Sequence, residues 1–195
     1  MIYLVRHGQT EFNLARRAQG SLDSELTALG VEQAERVGAL LTRLTAGADP
    51  LRIVSSPQGR AHRTARIIGE TMGYRLPIAL EPRIREIGMG RWDGKSHAEI
   101  EIDSPGVTSQ GGGWFFTAPG GEGLDAMSLR LGEWLEEARA LPGTTIAVSH
   151  GVAGRVLRGL FADLPREEAM SLPVPQDAVF RLLDGQIERI DSDPA

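Results

Sequence analysis

The chain has 195 residues, a formal net charge of -5, 41% hydrophobic and 24% charged residues, and no cysteine. That balance is ordinary for a globular chain, the negative charge argues against a nucleic-acid footprint, and the lack of thiols removes disulfides, thiolate catalysis and cysteine-based zinc sites. No Pro/Ser-rich linker, internal repeat or low-complexity tract divides the sequence, so one domain over 1–195 is expected. The first apolar run begins at residue 2, and no run is long and apolar enough to span a bilayer. The expectation is a cytoplasmic chain with no membrane and no nucleic-acid partner.

Ile2, Tyr3, Leu4 and Val5 form a short apolar run suited to a buried strand, which stops abruptly at Arg6-His7-Gly8. Gly8 allows a sharp turn or a close ligand approach, and a neutral imidazole beside an arginine is a candidate nucleophile for an anionic substrate. Arg16 and Arg17 follow in an irregular stretch, either lining an anion pocket or lying solvated in a loop. Thr27 caps a helix running to about 43, with Ala34, Val37, Leu41 and Leu44 at helical spacing. Arg52, Ile53 and Val54 read as a second strand. Ser56 and Pro57 then suit the N-cap and first position of a helix, placing Arg60 in its first turn, where the helix N-terminus also favours anions. A third strand is expected over 76–80, with Pro77 marking it as an edge. The loop that follows carries two acids able to move a proton, Glu81 and Glu86, and composition does not choose between them.

A short helix is expected over 95–102, with His97 on its solvated side. The segment 96–121 is a candidate lid. From 103 on it is glycine-rich, has no Lys or Arg, and contains Trp114, Phe115 and Phe116, which either meet a ligand or plug into the body. A helix over 125–140 carries Met127, Leu131, Trp134, Leu135 and Ala138 on one side. Residues 144–148 form the clearest buried strand of the second half; it ends in Ser149-His150-Gly151 and passes into a helix to about Phe161. From Asp177 the chain reads as a hairpin about Asp184-Gly185, followed by a tail.

Strands thus hand over to Arg6 and His7, Arg60, Glu86 and His150 at their C-terminal ends. Strands alternating with helices imply an α/β fold with a mostly parallel sheet, whose C-terminal edge is where ligands bind. Two strand-end His-Gly pairs with an arginine at a helix start describe a positive pocket containing a nucleophile, and phosphate is the anion best matched to it. The four histidines show no close metal-ligand spacing, so no metal site is expected.

Six segments in order resemble the histidine phosphatase superfamily, also called the phosphoglycerate mutase-like family: LVRHGQTEFN at 4–13, QGSLDSELTALG at 19–30, SSPQGRAHRTA at 55–65, REIGMGRWDG at 85–94, PGGE at 119–122 and VSHG at 148–151. The resemblance implies a three-layer sandwich with a mostly parallel central sheet flanked by helices. It implies that His7 becomes phosphohistidine, that Arg6, Arg60 and His150 hold the phosphoryl oxygens, and that Glu86 rather than Glu81 is the proton donor. Asn13 matches a phosphate-pocket residue, Gln19 and Gly20 a loop bordering substrate, and Gly151 the phosphate end of the last motif. No metal and no cofactor is implied. The chain departs from the family at Gln9, where Glu is common, and at Gly123, where Ser is common.

The family contains phosphatases and mutases. A mutase needs cations beyond those on the reacting phosphate, and the 96–121 segment supplies acids instead, Glu99, Glu101 and Asp103. The expectation is a phosphatase acting on small-molecule phosphomonoesters with an apolar or neutral body, as a monomer or homodimer. Phosphoglycerate mutase activity is the alternative, and a catalytically dead phospho-ligand-binding relative a further one.

Overall fold

The computed structural model describes residues 1–192. Its strands are β1 (Ile2–Arg6), β2 (Leu51–Ser55), β3 (Ala79–Leu80), β4 (Thr144–Ser149), β5 (Ala178–Leu183) and β6 (Gln186–Asp191). Its helices are α1 (Glu11–Leu14), α2 (Ala28–Leu44), α3 (Gly59–Thr71), α4 (His97–Asp103), α5 (Leu124–Ala140), α6 (Gly151–Phe161) and α7 (Arg166–Ser171). The strands form one sheet in the order β3-β2-β4-β1-β5-β6. The first four are parallel, and β5 and β6 add an antiparallel edge.

The sheet is covered on both faces, which is why β1 carries the apolar run 2–5 and every residue of β4, its threonines included, is buried. Tyr3 and Val5 point toward Val37 and Leu41 of α2 and toward Ala61, Ala65 and Ile68 of α3. Ile2 and Leu4 point the other way, toward Met127, Leu131 and Leu135 of α5 and Leu157 of α6. The result is the expected three-layer α/β sandwich. Truncating a fully buried side chain such as Leu41 or Leu131 to Ala would cost about 2–5 kcal/mol.

Three local expectations are corrected. The third strand is two residues long rather than five, because it hangs on the edge of β2 and leaves Leu76 and Leu80 exposed. Helix α3 starts at Gly59, with Gln58 rather than Ser56 as N-cap and no cap from the Gln58 side chain. Its first amides are taken by Asp23, which accepts from Gly59 N and Arg60 N. The segment 103–121 is folded into two 3-10 turns, Val107–Ser109 and Trp114–Thr117, and Phe115 is buried. The hairpin turns at Asp184 and Gly185, both at positive φ (49° and 75°), as an Asp-Gly pair favours. The end of the expected tail, 193–195, lies outside the described residues. Among the described residues no helix is long and apolar enough to cross a membrane.

Candidate active site

Sheet register brings the two histidines together. Arg6 of β1 lies opposite Ser149 of β4, so the next residues, His7 and His150, leave the sheet side by side. On the other flank of β4, Ser55 pairs with Val148, which puts Ser56 beside the same edge. Two more ladder-like bonds extend this order past the strands: His7 N donates to Ser149 O and Ser56 N to Val148 O, each at 3.0 Å. The imidazole rings of His7 and His150 end with centroids 5.2 Å apart and tilted by 60°.

Both rings are buried. His7 Nδ1 meets the carbonyl oxygen of Gly8 at 2.8 Å. A carbonyl only accepts, so Nδ1 carries the hydrogen and Nε2 keeps its lone pair. Burial pushes the His7 imidazole well below its ordinary range, and Arg6 and Arg60 push it further; the Gly8 carbonyl opposes them. The ring is therefore neutral at physiological pH. His150 Nε2 meets Ser56 Oγ at 2.8 Å, and burial, then Arg60, His7 and Arg6, hold this ring neutral too. This is a second use of Ser56, in place of the expected helix cap.

Arg60 is almost fully enclosed. Its Nη1 donates to Leu22 O at 2.7 Å and to Asp23 Oδ1 at 2.8 Å, and its Nη2 to Gly20 O at 3.1 Å. Arg6 Nη1 donates to Val174 O at 2.5 Å. Arg6 Nε, Arg60 Nε and His150 Nδ1 are buried polar atoms with no protein partner, a costly condition unless something polar meets them.

Glu86 follows Arg85 at the end of a short 3-10 turn, Pro82–Ile84. Its own amide donates to Gln58 Oε1 at 2.7 Å. Its carboxylate caps α6, accepting from Val152 N at 3.0 Å and Ala153 N at 2.9 Å, with Ile87 N at 3.1 Å. His150, the N-cap of that helix, makes no side-chain cap bond, so Glu86 serves in its place. Glu81 is elsewhere: it caps the 3-10 turn at Arg83 N and pairs with the Arg83 guanidinium, which holds its carboxyl below the usual range.

A cavity of about 270 Å³ opens over this edge. Arg6, His7, Asn13, Gln19, Gly20, Arg60, Glu86 and Gly151 all line it. The His150 ring lies beside that of His7, with its Nδ1 buried and without a protein partner. Asn13 Oδ1 accepts from Gln176 Nε2 at 3.0 Å, and the same amide donates to His7 O at 3.1 Å. Gln19 Oε1 accepts from Ser24 Oγ at 3.2 Å. Gly20 has φ +53°, and a Cβ there would fall 1.7 Å from Asp93 Oδ1, so only glycine fits.

Sequence reasoning missed several wall residues. Arg155 lines the cavity from α6, half-buried, its Nε fixed on Leu172 O at 2.7 Å. It stands four residues after Gly151, on the same helix face, and that spacing was the available signal. Gln176 and Val174 come from an irregular connector that carries no periodic signal. His97 is exposed at the start of α4, as expected, and also borders the cavity, with its ring edge against Trp114 (centroids 5.3 Å apart). Of the two arginines left open, Arg17 lines it and Arg16 does not. Of the aromatic trio, Trp114 and Phe115 face the cavity, while Phe116 packs on Phe115 and under Arg166. Among the described residues, no group of three or more His, Asp or Glu side chains gathers as a metal cluster would.

Comparison with known proteins agrees with this geometry. The family model described as histidine phosphatase superfamily (branch 1) matches residues 2–187. A probable phosphoglycerate mutase GpmB of Photorhabdus laumondii is 35% identical over 97% of this chain and 84% of its own length. A glucosyl-3-phosphoglycerate phosphatase of Mycobacterium tuberculosis is 42% identical over 54% of this chain and 45% of its own. Among solved structures, the mycobacterial glucosyl-3-phosphoglycerate phosphatase complexed with VO3 superimposes with a TM-score of 0.78 at 30% identity, covering 97% of this chain and 96% of that one. Bacillus stearothermophilus YhfR gives 0.79 at 32% identity, covering 97% and 95%. The chain belongs to the histidine phosphatase superfamily.

Proposed function

We propose that the protein hydrolyses phosphomonoesters through a phosphohistidine on His7, within a single catalytic domain. The observation that carries this is the His7 Nδ1 to Gly8 O bond, which leaves Nε2 as a lone-pair nitrogen in a cavity lined by buried Arg60 and partly buried Arg6. In the first step Nε2 attacks phosphorus and the ester P–O bond breaks. The leaving oxygen takes a proton from the carboxyl of Glu86, and the Gly8 carbonyl steadies the positive charge gained by the ring. In the second step the Glu86 carboxylate takes a proton from water, the water oxygen attacks phosphorus, and the P–N bond breaks. Neutral His7, protonated Glu86 and inorganic phosphate are restored. Arg6 and Arg60, with Nε hydrogens unpartnered, neutralise charge on the transferring group. His150, beside His7 and with its Nδ1 unpartnered, helps hold the phosphoryl oxygens.

Asn13, Gln19, Gly20 and Gly151 border the substrate in this reading. The 96–121 segment acts as a lid, with Trp114 and Phe115 against the part of the substrate beyond phosphate. The lid carries no cation past Lys95, which favours water, rather than a second phosphate acceptor, as the final partner.

Phosphoglycerate mutation is the second reading, and two observations favour it. Relatives matched along nearly the whole chain carry that name, and Arg17 and Arg155 bring cations to the cavity that the lid does not supply. Parallel assays separate the two: phosphate release from alkyl and aryl phosphates, and interconversion of 3- and 2-phosphoglycerate. Hydrolysis exceeding interconversion by a wide margin is expected; efficient interconversion with little phosphate release overturns the phosphatase reading.

A further inference from the structure

Glu86 sits in a segment, 81–90, with no strand and no α-helix to fix its backbone. Something else must hold the acid, because a misplacement of about 1 Å can cost about a hundredfold in rate. Arg130 of α5 is buried and turned toward this segment. Its Nη1 donates to the carbonyls of Arg83 and, at 2.9 Å, of Arg85, and its Nη2 reaches the Glu86 carbonyl at 3.4 Å. The same guanidinium is locked by Glu122: Nε to Oε1 at 2.7 Å and Nη2 to Oε2 at 2.6 Å, a bidentate fork. Glu122 is in turn stitched to the acid loop, its amide donating to Gly88 O at 2.7 Å and its Oε1 accepting from Arg85 Nη2 at 3.0 Å. Arg91 N donates to Pro119 O at 3.0 Å, so the end of the 96–121 segment is tied to the same loop.

We propose that Arg130, locked by Glu122, is a positioning residue for Glu86. Its guanidinium holds the carbonyls of Arg83, Arg85 and Glu86 while Gln58 holds the Glu86 amide and the first amides of α6 hold its carboxylate, and through Glu122 it couples the acid to the C-terminal end of the lid segment. The inference rests on Glu86 being the proton donor. A guanidinium serving only to anchor α5 would have no reason to spend donors on three carbonyls of one irregular segment.

The test compares a simple alkyl phosphate with p-nitrophenyl phosphate by kcat/KM, which reads only the steps through departure of the leaving group. The aryl oxygen leaves with little proton assistance; the alkyl oxygen needs the acid. Arg130→Lys keeps the charge but cannot form the fork, and Glu122→Gln keeps the shape but weakens the lock. Each is expected to lose about tenfold or more on the alkyl ester and less than about threefold on the aryl ester. In a Glu86→Gln background the ratio between esters should not move further. If Arg130→Lys does not fold, as judged by circular dichroism, Glu122→Gln decides alone. Equal losses on both esters, or a selective loss that persists without Glu86, overturns the inference. A wild type that turns over neither ester, or a Glu86→Gln variant with no selective loss, overturns the proton-donor reading and this inference with it. Selective loss in Glu86→Gln but not in Arg130→Lys or Glu122→Gln overturns this inference alone.

Discussion

Asp23 holds Arg60 twice: its Oδ1 accepts the Arg60 backbone amide at 3.2 Å and the Arg60 guanidinium at 2.8 Å. One carboxylate therefore caps the helix that carries the arginine and aims the arginine itself. Arg60 is buried while Asp23 is half in solvent, so screening limits what the ion pair alone contributes, and the cap is the safer part of the stabilisation. Asp23→Ala is expected to cost about 1 kcal/mol through the lost cap. It should lower kcat/KM far more than that loss of stability would, because Arg60 is released from its aim. Thermal melts and kinetics on the same preparation check this. Asp23→Asn, which retains the amide contact, should melt near the wild type; full activity in Asp23→Ala would contradict the coupling.

The two buried imidazoles set a pH dependence of stability. Burial holds His7 and His150 well below the ordinary value of 6.5. Between the folded and unfolded values the unfolded chain binds more protons, so the contribution of these rings is fully present above the unfolded value and stability falls as pH drops below it. Tm should therefore decline on going from about pH 7.5 to about pH 5.5, and His7→Gln should decline less steeply than the wild type. Parallel curves for the two proteins would contradict the assignment of His7 as a buried neutral ring.

Trp114 faces the cavity, whereas Phe116 lies outside its lining and under Arg166. Trp114→Ala is expected to reduce kcat/KM for bulky aryl or long-chain monoesters more than for small ones, by roughly tenfold in the ratio, because only the larger esters lose contact area. Phe116→Leu should leave that ratio unchanged. Equal effects of Trp114→Ala on large and small esters would make the tryptophan ordinary packing. Phe115 is less useful here, since it belongs to the core and its truncation would mix folding with binding.

Among the described residues the Arg155 guanidinium donates to the Leu172 carbonyl through Nε, which leaves its other nitrogens open to a ligand in the cavity. A monoester with a second anionic group placed near it would gain a partner that neutral esters do not use. Arg155→Leu is expected to raise KM for phosphorylated acids by about tenfold, on the order of one charge-assisted hydrogen bond, and to change KM for neutral esters little. Equal change for both classes would place Arg155 in holding the connector at 172–174 rather than in selecting substrate.

Much of the site was readable where chain order alone carries it. The runs at 2–5 and 144–148 end abruptly in His-Gly pairs, and parallel neighbours must bring such ends to one edge. Asp184-Gly185 fixed the hairpin because both positive φ values suit those residues. What was hidden depends on distant partners. Helix α3 begins later than Ser56-Pro57 suggested because its cap, Asp23, arrives from another loop and Ser56 is drawn to His150. Arg155 looked like one more arginine of a helix, and Gln176 sits in a connector with no pattern. The lid segment itself carries no Lys or Arg; of the two arginines open to either reading, Arg17 reaches the cavity, and Arg155 adds a cation from α6 that no motif marked.

The central claim is the covalent intermediate, and trapping it is the most direct measurement. Wild-type protein is mixed with a labelled phosphomonoester, quenched under alkaline denaturing conditions that preserve phosphohistidine, digested and mapped by mass spectrometry. Phosphate on the peptide containing His7, at the Nε2 position left free by the Gly8 carbonyl, is the expected result, with none in His7→Ala. Phosphate on His150 or any other residue, or turnover by His7→Ala at a rate near the wild type, would contradict it.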